Sequence, residues 1–347
     1  MRIIIVGCGG MGTYQAKKFQ QLGAIIVGAI DHNTTNLDTF CTLYAVPWRS
    51  YSLDDLPLMR GKADAVSCAL PDRYHLSCCV IVLALGFALF AEKPMGSTLS
   101  DARSIVEASH AVGLPTMVNY SKRNMQALHA LRTVVLDDTL GKLLSVTIQY
   151  NQGWVLTNAW GDWRTEPRWK WRLLPKAGNG GCIGDLASHL VDALFFLFDS
   201  VTFIGTTSVV TLEELVSDGT IPLCDEYRQT FLRNGSVPVS YEGFLQVGAG
   251  IPCHLSCTQV SPSDSDTVRI SVVGSRGQAI FDSSHSRNSV QVTSDTGSCV
   301  VEGPPTVTST YASFMDWVDK GIPGRPTLSD GLLVQEILEE MKQCRLS

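Results

Sequence analysis

A glycine-rich turn near the N-terminus constrains the fold of this chain more than any other feature. A GxGxxG pattern over Gly7–Gly12 follows a β-branched run, Ile3–Val6, and precedes a predicted helix over Met11–Leu22. Asp31 ends the next predicted strand, 19 residues after the last glycine of the pattern. This order of strand, glycine turn, helix and acidic residue is the dinucleotide-binding fingerprint. We therefore predict that the start of the chain binds a nicotinamide dinucleotide.

Each glycine of this turn has a separate physical role. Gly7 permits the tight turn after the strand, Gly9 lets a pyrophosphate approach the backbone, and Gly12 lets the helix lie close to the strand. The amides at the helix N-terminus then bind the phosphates. We expect the following residues of the turn to contact the cofactor: Gly7, Gly9, Gly10, Met11 and Gly12.

Asp31 is the residue that should select between the two nicotinamide cofactors. Its carboxylate can accept hydrogen bonds from the adenosine ribose hydroxyls and would repel the 2′-phosphate of NADP, so NAD is preferred. NADP stays open as an alternative, because Arg49 and His32 could accommodate a phosphate. In a purely structural interpretation, Asp31 caps a loop at the end of its strand.

The first 118 residues continue the alternation of strands and helices. Apolar runs typical of buried strands recur at Ala24–Ile30, Ala63–Ala69, Ala88–Ala91 and Pro115–Val118, with helical segments between them. Repeated βα units with short turns imply a parallel, doubly wound sheet. We therefore expect an α/β Rossmann domain over residues 1–118.

Residues 119–347 have a different pattern. An apolar helix is predicted over Leu186–Phe198, and residues 201–302 are mostly strands, for example Val268–Val273. This pattern favours an antiparallel sheet with one covered face. We expect an α+β domain for substrate binding and oligomerisation, built on a large, mostly antiparallel open sheet. The last helix could also pack back on the Rossmann domain.

Composition disfavours several classes of protein. Charged residues make up 17% of the chain and the net charge is -6, without a long basic run, so nucleic acid is not an expected partner. The longest apolar run, Val80–Ala91, is shorter than the roughly 20 residues that span a bilayer, and no targeting segment is visible. The 11 cysteines are scattered, and Cys253–Cys257 lacks a common zinc spacing. We therefore expect free thiols, no metal site, no membrane partner and a cytoplasmic protein.

Lys93 is the first candidate catalytic residue. It lies in the motif Glu92-Lys93-Pro94, directly after the predicted strand Ala88–Ala91. Ligands of open α/β sheets bind at the carboxyl ends of the strands. An ammonium group there can hydrogen-bond a reacting oxygen and stabilise alkoxide character. The alternative is a surface lysine before a proline that fixes its backbone, which could include a cis peptide bond.

Asp185 and His189 are the second candidate pair. They are four residues apart at the start of a predicted helix, so they share one face. Histidine can take a hydroxyl proton near neutral pH, and the carboxylate can orient the imidazole or contact a substrate hydroxyl. Glycines over 178–184 would let the backbone pass close to the ligands. The structural alternatives are a helix N-cap for Asp185 and a core histidine for His189.

These motifs together resemble the Gfo/Idh/MocA family of oxidoreductases over nearly the whole chain. The segments that carry the resemblance, besides the glycine turn, are Leu70-Pro71-Asp72, Glu92-Lys93-Pro94, Gly180–His189, Ser271–Gly277 and Ser329-Asp330-Gly331.

The resemblance implies a Rossmann domain joined to an α+β domain, and catalysis by the D-x-x-x-H pair, here Asp185 and His189. Most members oxidise or reduce a hydroxyl or keto carbon of a sugar or cyclitol with NAD(P), and form dimers or tetramers through the open sheet. We also expect the following residues to line the cofactor: Leu70, Pro71, His75, Glu92 and Lys93.

A cluster of tryptophans is the oddest feature of the composition. Five of the seven tryptophans fall between Trp154 and Trp171, alternating with Arg, Lys and Asp. Aromatic faces beside hydrogen-bond donors suit sugar rings, and arginine can form bidentate bonds. The alternative is that the rings cover the helix Leu186–Phe198 or a subunit interface. The predicted substrate contacts are Lys93, Asp185 and His189 with Trp163, Arg164, Trp169 and Arg172, and also Tyr120, which could instead pack in the hinge.

The function predicted from the sequence is an NAD(P)-dependent oxidoreductase acting on a carbohydrate or cyclitol. A second hypothesis is an NAD-dependent, redox-assisted glycosidase or deglycosylase that keeps its cofactor. A third is a sensor of NAD or sugar without catalysis.

Overall fold

The computed structural model describes residues 1–174, 180–223 and 237–344 of the chain. The chain folds into two compact units. The first unit comprises Met1–Ser121 together with Thr308–Gln335, and the second comprises Lys122–Val307 with the residues from Glu336 onward. None of the helices in the described residues is long and apolar enough to cross a membrane.

The first unit is built on a six-stranded parallel sheet with the order β3-β2-β1-β4-β5-β6. This is the Rossmann strand order, so the α/β fold predicted for the start of the chain is confirmed. The strands are β1 Arg2–Val6, β2 Ile25–Ile30, β3 Arg49–Ser50, β4 Ala65–Cys68, β5 Ala88–Ala91 and β6 Thr116–Val118. The helices are α1 Gly10–Gln21, α2 Thr34–Tyr44, α3 His75–Ala84 and α4 Leu99–Val112.

The second unit is built on an eight-stranded sheet with the order β14-β13-β12-β11-β7-β10-β9-β8. The mostly antiparallel sheet predicted for this part is confirmed, with β7 and β10 as a parallel pair. The strands are β7 Leu143–Gln152, β8 Val201–Thr211, β9 Pro238–Val247, β10 Ile251–Thr258, β11 Asp266–Gly274, β12 Gly277–Asp282, β13 Ser289–Ser294 and β14 Gly297–Glu302. The helices are α5 Gln126–Leu136, α6 Trp154–Thr157, α7 Pro167–Lys170, α8 Ser188–Phe198 and α9 Leu212–Ser217.

The two faces of this second sheet differ in character. On β7, Val146, Ile148 and Tyr150 are buried on the face against which α8 packs, whereas Thr147 and Gln149 lie on the open face. A strand that alternates in this way has one face packed against the core and one face in contact with solvent. The covered face of the sheet is therefore the side that can hold a buried site.

Two helices close the chain, α10 over Thr310–Lys320 and α11 over Leu328–Gln343. The predicted division placed all of residues 119–347 in one domain, whereas α10 belongs to the first unit. The physical reason is aromatic packing, since Tyr311 and Phe314 of α10 contact Phe90 of β5 with ring centroids 5.2 Å apart in both pairs. The Asn119 amide also donates to the Tyr311 hydroxyl at 2.9 Å.

Candidate nucleotide-binding and catalytic sites

The turn after β1 has a backbone that only glycine fits at two positions. Gly7 has a φ of +92°, and a Cβ there would lie 2.6 Å from the Ala69 carbonyl oxygen. A Cβ on Gly12 would overlap the Gly7 carbonyl oxygen. The first glycine therefore permits the turn, and the third permits the close approach of α1 to β1, as the fingerprint requires.

The N-terminus of α1 is a cradle with room for an anion. Gly9 caps the helix without a side-chain hydrogen bond, and the first turn carries no acidic residue. A Cβ on Gly9 or Gly10 would meet no atom of the described residues within 4 Å. Met11 is exposed at the same end of the helix. Open amides at a helix N-terminus bind phosphate, so these residues fit the pyrophosphate of a dinucleotide.

Asp31 lies directly after β2, with its carboxylate fixed by the backbone. Its two oxygens accept hydrogen bonds from the amides of Cys8, at 2.7 Å, and Asn33, at 2.8 Å. Arg49, which could have held a 2′-phosphate, is paired with Asp38 at 2.7 Å. The carboxylate is thus held beside the glycine turn, where a ribose would approach.

Glu92 forms the centre of a buried polar network at the end of β5. One carboxylate oxygen accepts hydrogen bonds from Gln15 at 2.6 Å and Asn119 at 2.7 Å, and the other accepts the Lys93 amide at 3.3 Å. Burial raises the pKa of Glu92. The Lys93–Pro94 peptide bond is cis. Glu92 therefore fixes the backbone from which the Lys93 side chain extends, and its predicted contact with the cofactor stays a prediction.

His75 also holds neighbouring backbone in place. Its side chain is fully buried, with Nε2 2.8 Å from the Leu70 carbonyl oxygen and Nδ1 3.2 Å from that of Met95. The imidazole links the Leu70-Pro71 turn after β4 to the segment that follows Lys93. Leu70 and Pro71 are partly exposed, and the contact of all three residues with the cofactor stays a prediction.

The second candidate site begins with two glycines in the left-handed region, Gly180 and Gly181, with φ of +65° and +60°. A Cβ on Gly181 would overlap the Pro238 carbonyl oxygen. The chain then forms a π-helical turn over Ile183–Ala187 before α8 begins. Such turns are frequent at functional sites. Asp185 lies inside this turn and does not cap α8, so the N-cap alternative does not apply.

The carboxylate of Asp185 is held on both oxygens. Arg172 donates to one oxygen at 2.8 Å and Gln259 donates to the other at 3.2 Å. His189, in the first turn of α8, is buried, and its ring centroid lies 6.4 Å from that of Tyr150. Asp185 and His189 therefore have fixed positions on the covered side of the sheet.

Sequence reasoning missed a group of polar residues on this face. Tyr150 donates to Asp266 at 2.8 Å, and Gln152 donates to the same oxygen at 3.0 Å. The ammonium of Lys122 lies 4.6 Å from the centre of the Tyr150 ring. The signal was present in β7, because its alternation places Tyr150 and then Gln152 on the buried face, beyond Val146 and Ile148.

The tryptophan-rich segment forms a small core of its own. Trp154 and Trp160 are stacked with centroids 5.4 Å apart, and Trp169 contacts both rings. Trp163 is fully buried, and its indole donates to the Val155 carbonyl oxygen at 2.9 Å. This burial favours the packing alternative for Trp163, and its contact with a substrate stays a prediction. These rings instead pack with α9 and neighbouring apolar residues, namely Leu212, Val216, Ile221, Val237 and Val239.

Other predicted substrate contacts also have local partners. Arg164 donates to Asp162 at 3.0 Å and Asn158 at 3.2 Å within its own segment. The indole of Trp169 donates to the Trp160 carbonyl oxygen at 2.8 Å. Tyr120 is fully buried, which favours the packing alternative. Arg172, one of the four candidates picked from the tryptophan-rich segment, donates a hydrogen bond to Asp185.

Two family profiles match this chain. The one described as an oxidoreductase family with an NAD-binding Rossmann fold matches residues 1–120, and the GFO/IDH/MocA C-terminal domain matches residues 128–280. The chain belongs to the Gfo/Idh/MocA family. Its first unit is accordingly an NAD-binding Rossmann fold, and the cofactor class expected from the glycine turn is confirmed.

Individual relatives within the family are distant. Glucose-6-phosphate 3-dehydrogenase of Bacillus subtilis is 22% identical over 57% of this chain and 54% of that protein. Levoglucosan dehydrogenase of Pseudarthrobacter phenanthrenivorans is 24% identical over 43% of this chain and 35% of that protein. The matches with these curated relatives therefore span only about a third to a half of the relatives' length.

The fold extends over more of the chain than these sequence matches. The structure of levoglucosan dehydrogenase with NADH and levoglucosan aligns with a TM-score of 0.82, at 16% identity, over 98% of this chain and 96% of that one. An oxidoreductase from Agrobacterium radiobacter, solved with NAD+, L-tartaric acid and magnesium, aligns with a TM-score of 0.76, at 15% identity, over 98% and 94%. The two-part architecture is thus common to all three chains.

Proposed function

We propose that this protein is an NAD-dependent dehydrogenase that acts on a hydroxyl-bearing carbon of a sugar, sugar derivative or cyclitol. The observation that carries the proposal is the Asp185 carboxylate, held by Arg172 and Gln259 one helical turn before His189. Membership of an NAD-binding oxidoreductase family supports the same reaction class, as do relatives named as sugar dehydrogenases.

His189 is the proposed general base. Its imidazole can take the proton of the substrate hydroxyl near neutral pH. Asp185 precedes it by one turn and can orient the imidazole or bind a neighbouring hydroxyl. Lys93 is proposed to donate a hydrogen bond to the reacting oxygen and stabilise its alkoxide character. Bound NAD supplies the hydride acceptor in this reaction.

Asp31 is proposed to make the enzyme prefer NAD over NADP. Its carboxylate is fixed by two backbone amides, and Arg49 is already paired with Asp38. A 2′-phosphate would therefore meet a negative charge without a freed guanidinium. We expect kcat/KM to be at least about tenfold higher with NAD, since two like charges about 4 Å apart at a protein surface repel by roughly 1–4 kcal/mol. Asp31→Ser should narrow this ratio, and an unchanged ratio would contradict the assignment.

A substrate panel tests the proposed reaction. Purified protein is incubated with NAD or NADP and with sugars, cyclitols and their keto forms, and the absorbance of the reduced nicotinamide is followed. We expect NAD reduction with at least one polyol, or NADH oxidation with its keto form. Cofactor that stays bound without exchange while a glycosidic bond is cleaved would support the redox-assisted glycosidase instead. NAD binding without turnover of any compound would support the sensor.

The open face of the large sheet is the proposed subunit interface. Ile204 and Phe244 are exposed on the neighbouring strands β8 and β9. Burial of such side chains against a second copy would remove apolar surface from water. We expect a dimer or tetramer by light scattering, and Phe244→Glu should dissociate it. A monomeric wild-type protein would exclude this interface.

The proposed compartment is the cytoplasm. Among the described residues ten cysteines are free thiols, and eight of these are buried, which fits a reducing environment. Fractionation of cells that express the full chain should recover the protein with cytoplasmic markers. Recovery in an oxidising compartment would contradict this proposal.

A further inference from the structure

Three polar side chains lie in a row at one end of the covered sheet face. In β7, Asn151 pairs with Thr258 of β10, and Gln152 pairs with Asp266 of β11. Gln259 directly follows β10, so Gln259, Gln152 and Asp266 occupy three adjacent strands. Gln152 is 5% exposed and Gln259 is 0% exposed, whereas Asp266 lies at the exposed edge. The row belongs entirely to the second unit.

The orientation of both glutamine amides follows from their partners. The Gln152 nitrogen donates to Asp266 at 3.0 Å, and the Gln259 nitrogen donates to Asp185 at 3.2 Å. Ionised carboxylates only accept hydrogen bonds, so the amide nitrogens must face them. The remaining atom of each amide is therefore the carbonyl oxygen. Both carbonyl oxygens are buried and have no hydrogen-bond partner among the described residues.

The two buried carbonyl oxygens can each accept a hydrogen bond from a ligand. A buried polar atom without a hydrogen bond costs about 1–3 kcal/mol, and a ligand that donates to it recovers this energy. Sugar and cyclitol hydroxyls are such donors. Because Gln259 also binds Asp185, its free oxygen belongs to the same cluster as the proposed catalytic carboxylate.

The charges of this face disfavour an anionic ligand. Arg172 is paired with Asp185 at 2.8 Å, so its charge is already matched. Although burial opposes it, Lys122 and the hydrogen bonds from Gln152 and Tyr150 lower the pKa of Asp266, which stays ionised. Burial and Asp266 raise the pKa of Tyr150, which keeps its proton. Among the described residues, Arg172 and Lys122 balance the charges of Asp185 and Asp266, so a phosphate or carboxylate would meet no excess positive charge here and could not donate a hydrogen bond to either carbonyl oxygen.

We infer that Gln152 and Gln259 are specificity-determining residues that accept hydrogen bonds from hydroxyl groups of an uncharged sugar or cyclitol, and that this site rejects phosphorylated and carboxylated analogues. This inference rests on the proposed dehydrogenase function and narrows its substrate class.

Substrate analogues test the inference on the unmodified protein. For the best neutral substrate, kcat/KM is compared with that of its phosphate ester, its carboxylate analogue and its single deoxy derivatives. We expect the anionic forms to be at least 100-fold poorer, and at least one deoxy form to lose about 10- to 100-fold, the scale of an unmet buried acceptor. A phosphorylated or carboxylated form that is turned over as well as the neutral one overturns the inference while the proposed reaction stands.

Matched variants then identify the residues that make this selection. Gln152→Met and Gln259→Met remove an acceptor at similar volume, and Gln149→Met on the open face of β7 is the control. We expect the first two variants to lower kcat/KM for the neutral sugar about 10- to 100-fold. Each variant should then turn over the matching deoxy derivative as well as the parent sugar, because the acceptor for the missing hydroxyl is gone. NADH binding should stay close to wild type, whereas the melting temperature should fall modestly, because each change also removes the amide N–H that bonds Asp266 or Asp185. Equal loss for hydroxylated and deoxy substrates, or no loss, overturns the assignment. If no compound of any charge is turned over, the proposed function itself fails.

Discussion

The glycine turn of the first unit and the tryptophan-rich segment of the second both stand out in the sequence, but they differ in how directly residue type determines geometry. At Gly7 and Gly12 the backbone of the turn leaves no room for a side chain, because a Cβ would collide with a neighbouring carbonyl group. In the tryptophan-rich segment, Trp154 stacks on Trp160 rather than facing an open site.

The two regions show which kind of sequence pattern determines geometry. A glycine motif specifies conformations that no other residue tolerates, so its geometry follows from the sequence. An aromatic ring packs against another ring as well as against a sugar, so a cluster of rings does not identify its partner. Arg172 is the exception within the segment, since its guanidinium bonds Asp185.

The largest expected effect concerns the glycine turn. Gly12→Ala would place a Cβ against the Gly7 carbonyl oxygen, whereas a Cβ on Gly10 meets no described atom within 4 Å. We expect Gly12→Ala to lower the free energy of unfolding by more than about 4 kcal/mol and to abolish NAD binding, and Gly10→Ala to change stability by less than about 1 kcal/mol. Thermal unfolding by circular dichroism measures both. Equal melting temperatures would show that the turn tolerates side chains at either position.

The next effect tests whether the tryptophans form a core. Trp163→Ala removes a fully buried ring and should lower the free energy of unfolding by about 3–5 kcal/mol. Trp171→Ala, which removes a partly exposed ring, is the control and should cost less. Chemical denaturation measures the difference. A stable Trp163→Ala variant with a raised KM for sugar would restore the original substrate-binding interpretation.

A smaller effect separates the two arginines of this segment. Arg172→Ala removes a charged hydrogen bond to Asp185 and should lower kcat/KM about 10- to 100-fold. Arg164→Ala is the matched control, since this guanidinium bonds Asp162 and Asn158 instead. Steady-state kinetics with a panel-derived substrate compare the two. A larger loss of kcat/KM in Arg164→Ala than in Arg172→Ala would contradict this assignment and place Arg164 in the substrate site.

The smallest effect is a pH dependence of stability centred on Glu92. Burial raises its pKa, so the folded state holds the proton at a higher pH than the unfolded chain does. The contribution of Glu92 to stability is therefore largest at low pH and declines as the pH rises from the ordinary value through the raised one. Urea unfolding of the wild type and of Glu92→Gln is measured over this pH range. The free energy of unfolding of the wild type should fall relative to that of Glu92→Gln as the pH rises. A pH-independent difference would contradict the buried carboxylate.

The Rossmann fold and the glycine turn could be predicted because a contiguous glycine motif and a regular alternation of strands and helices indicate them. Asp185 and His189 could be selected because they lie four residues apart, and their catalytic role stays a prediction. The partners of Asp185 could not be predicted from the sequence, because Arg172 is 13 residues away and Gln259 is 74 residues away. The membership of α10 in the first unit depends on aromatic packing that a linear reading does not reveal. The partners of His75 and Glu92 could not be predicted either, because both side chains are buried and bond groups outside their own motifs.

The most direct test of the central claim is to separate cofactor binding from turnover in His189→Ala. NADH binding is titrated by fluorescence, and NAD reduction is measured with the best neutral polyol, beside Lys93→Met and wild type. The account predicts unchanged NADH affinity for His189→Ala, with turnover lowered by about 10²–10⁴-fold, as expected when a general base is lost. Wild-type turnover in His189→Ala would contradict the account.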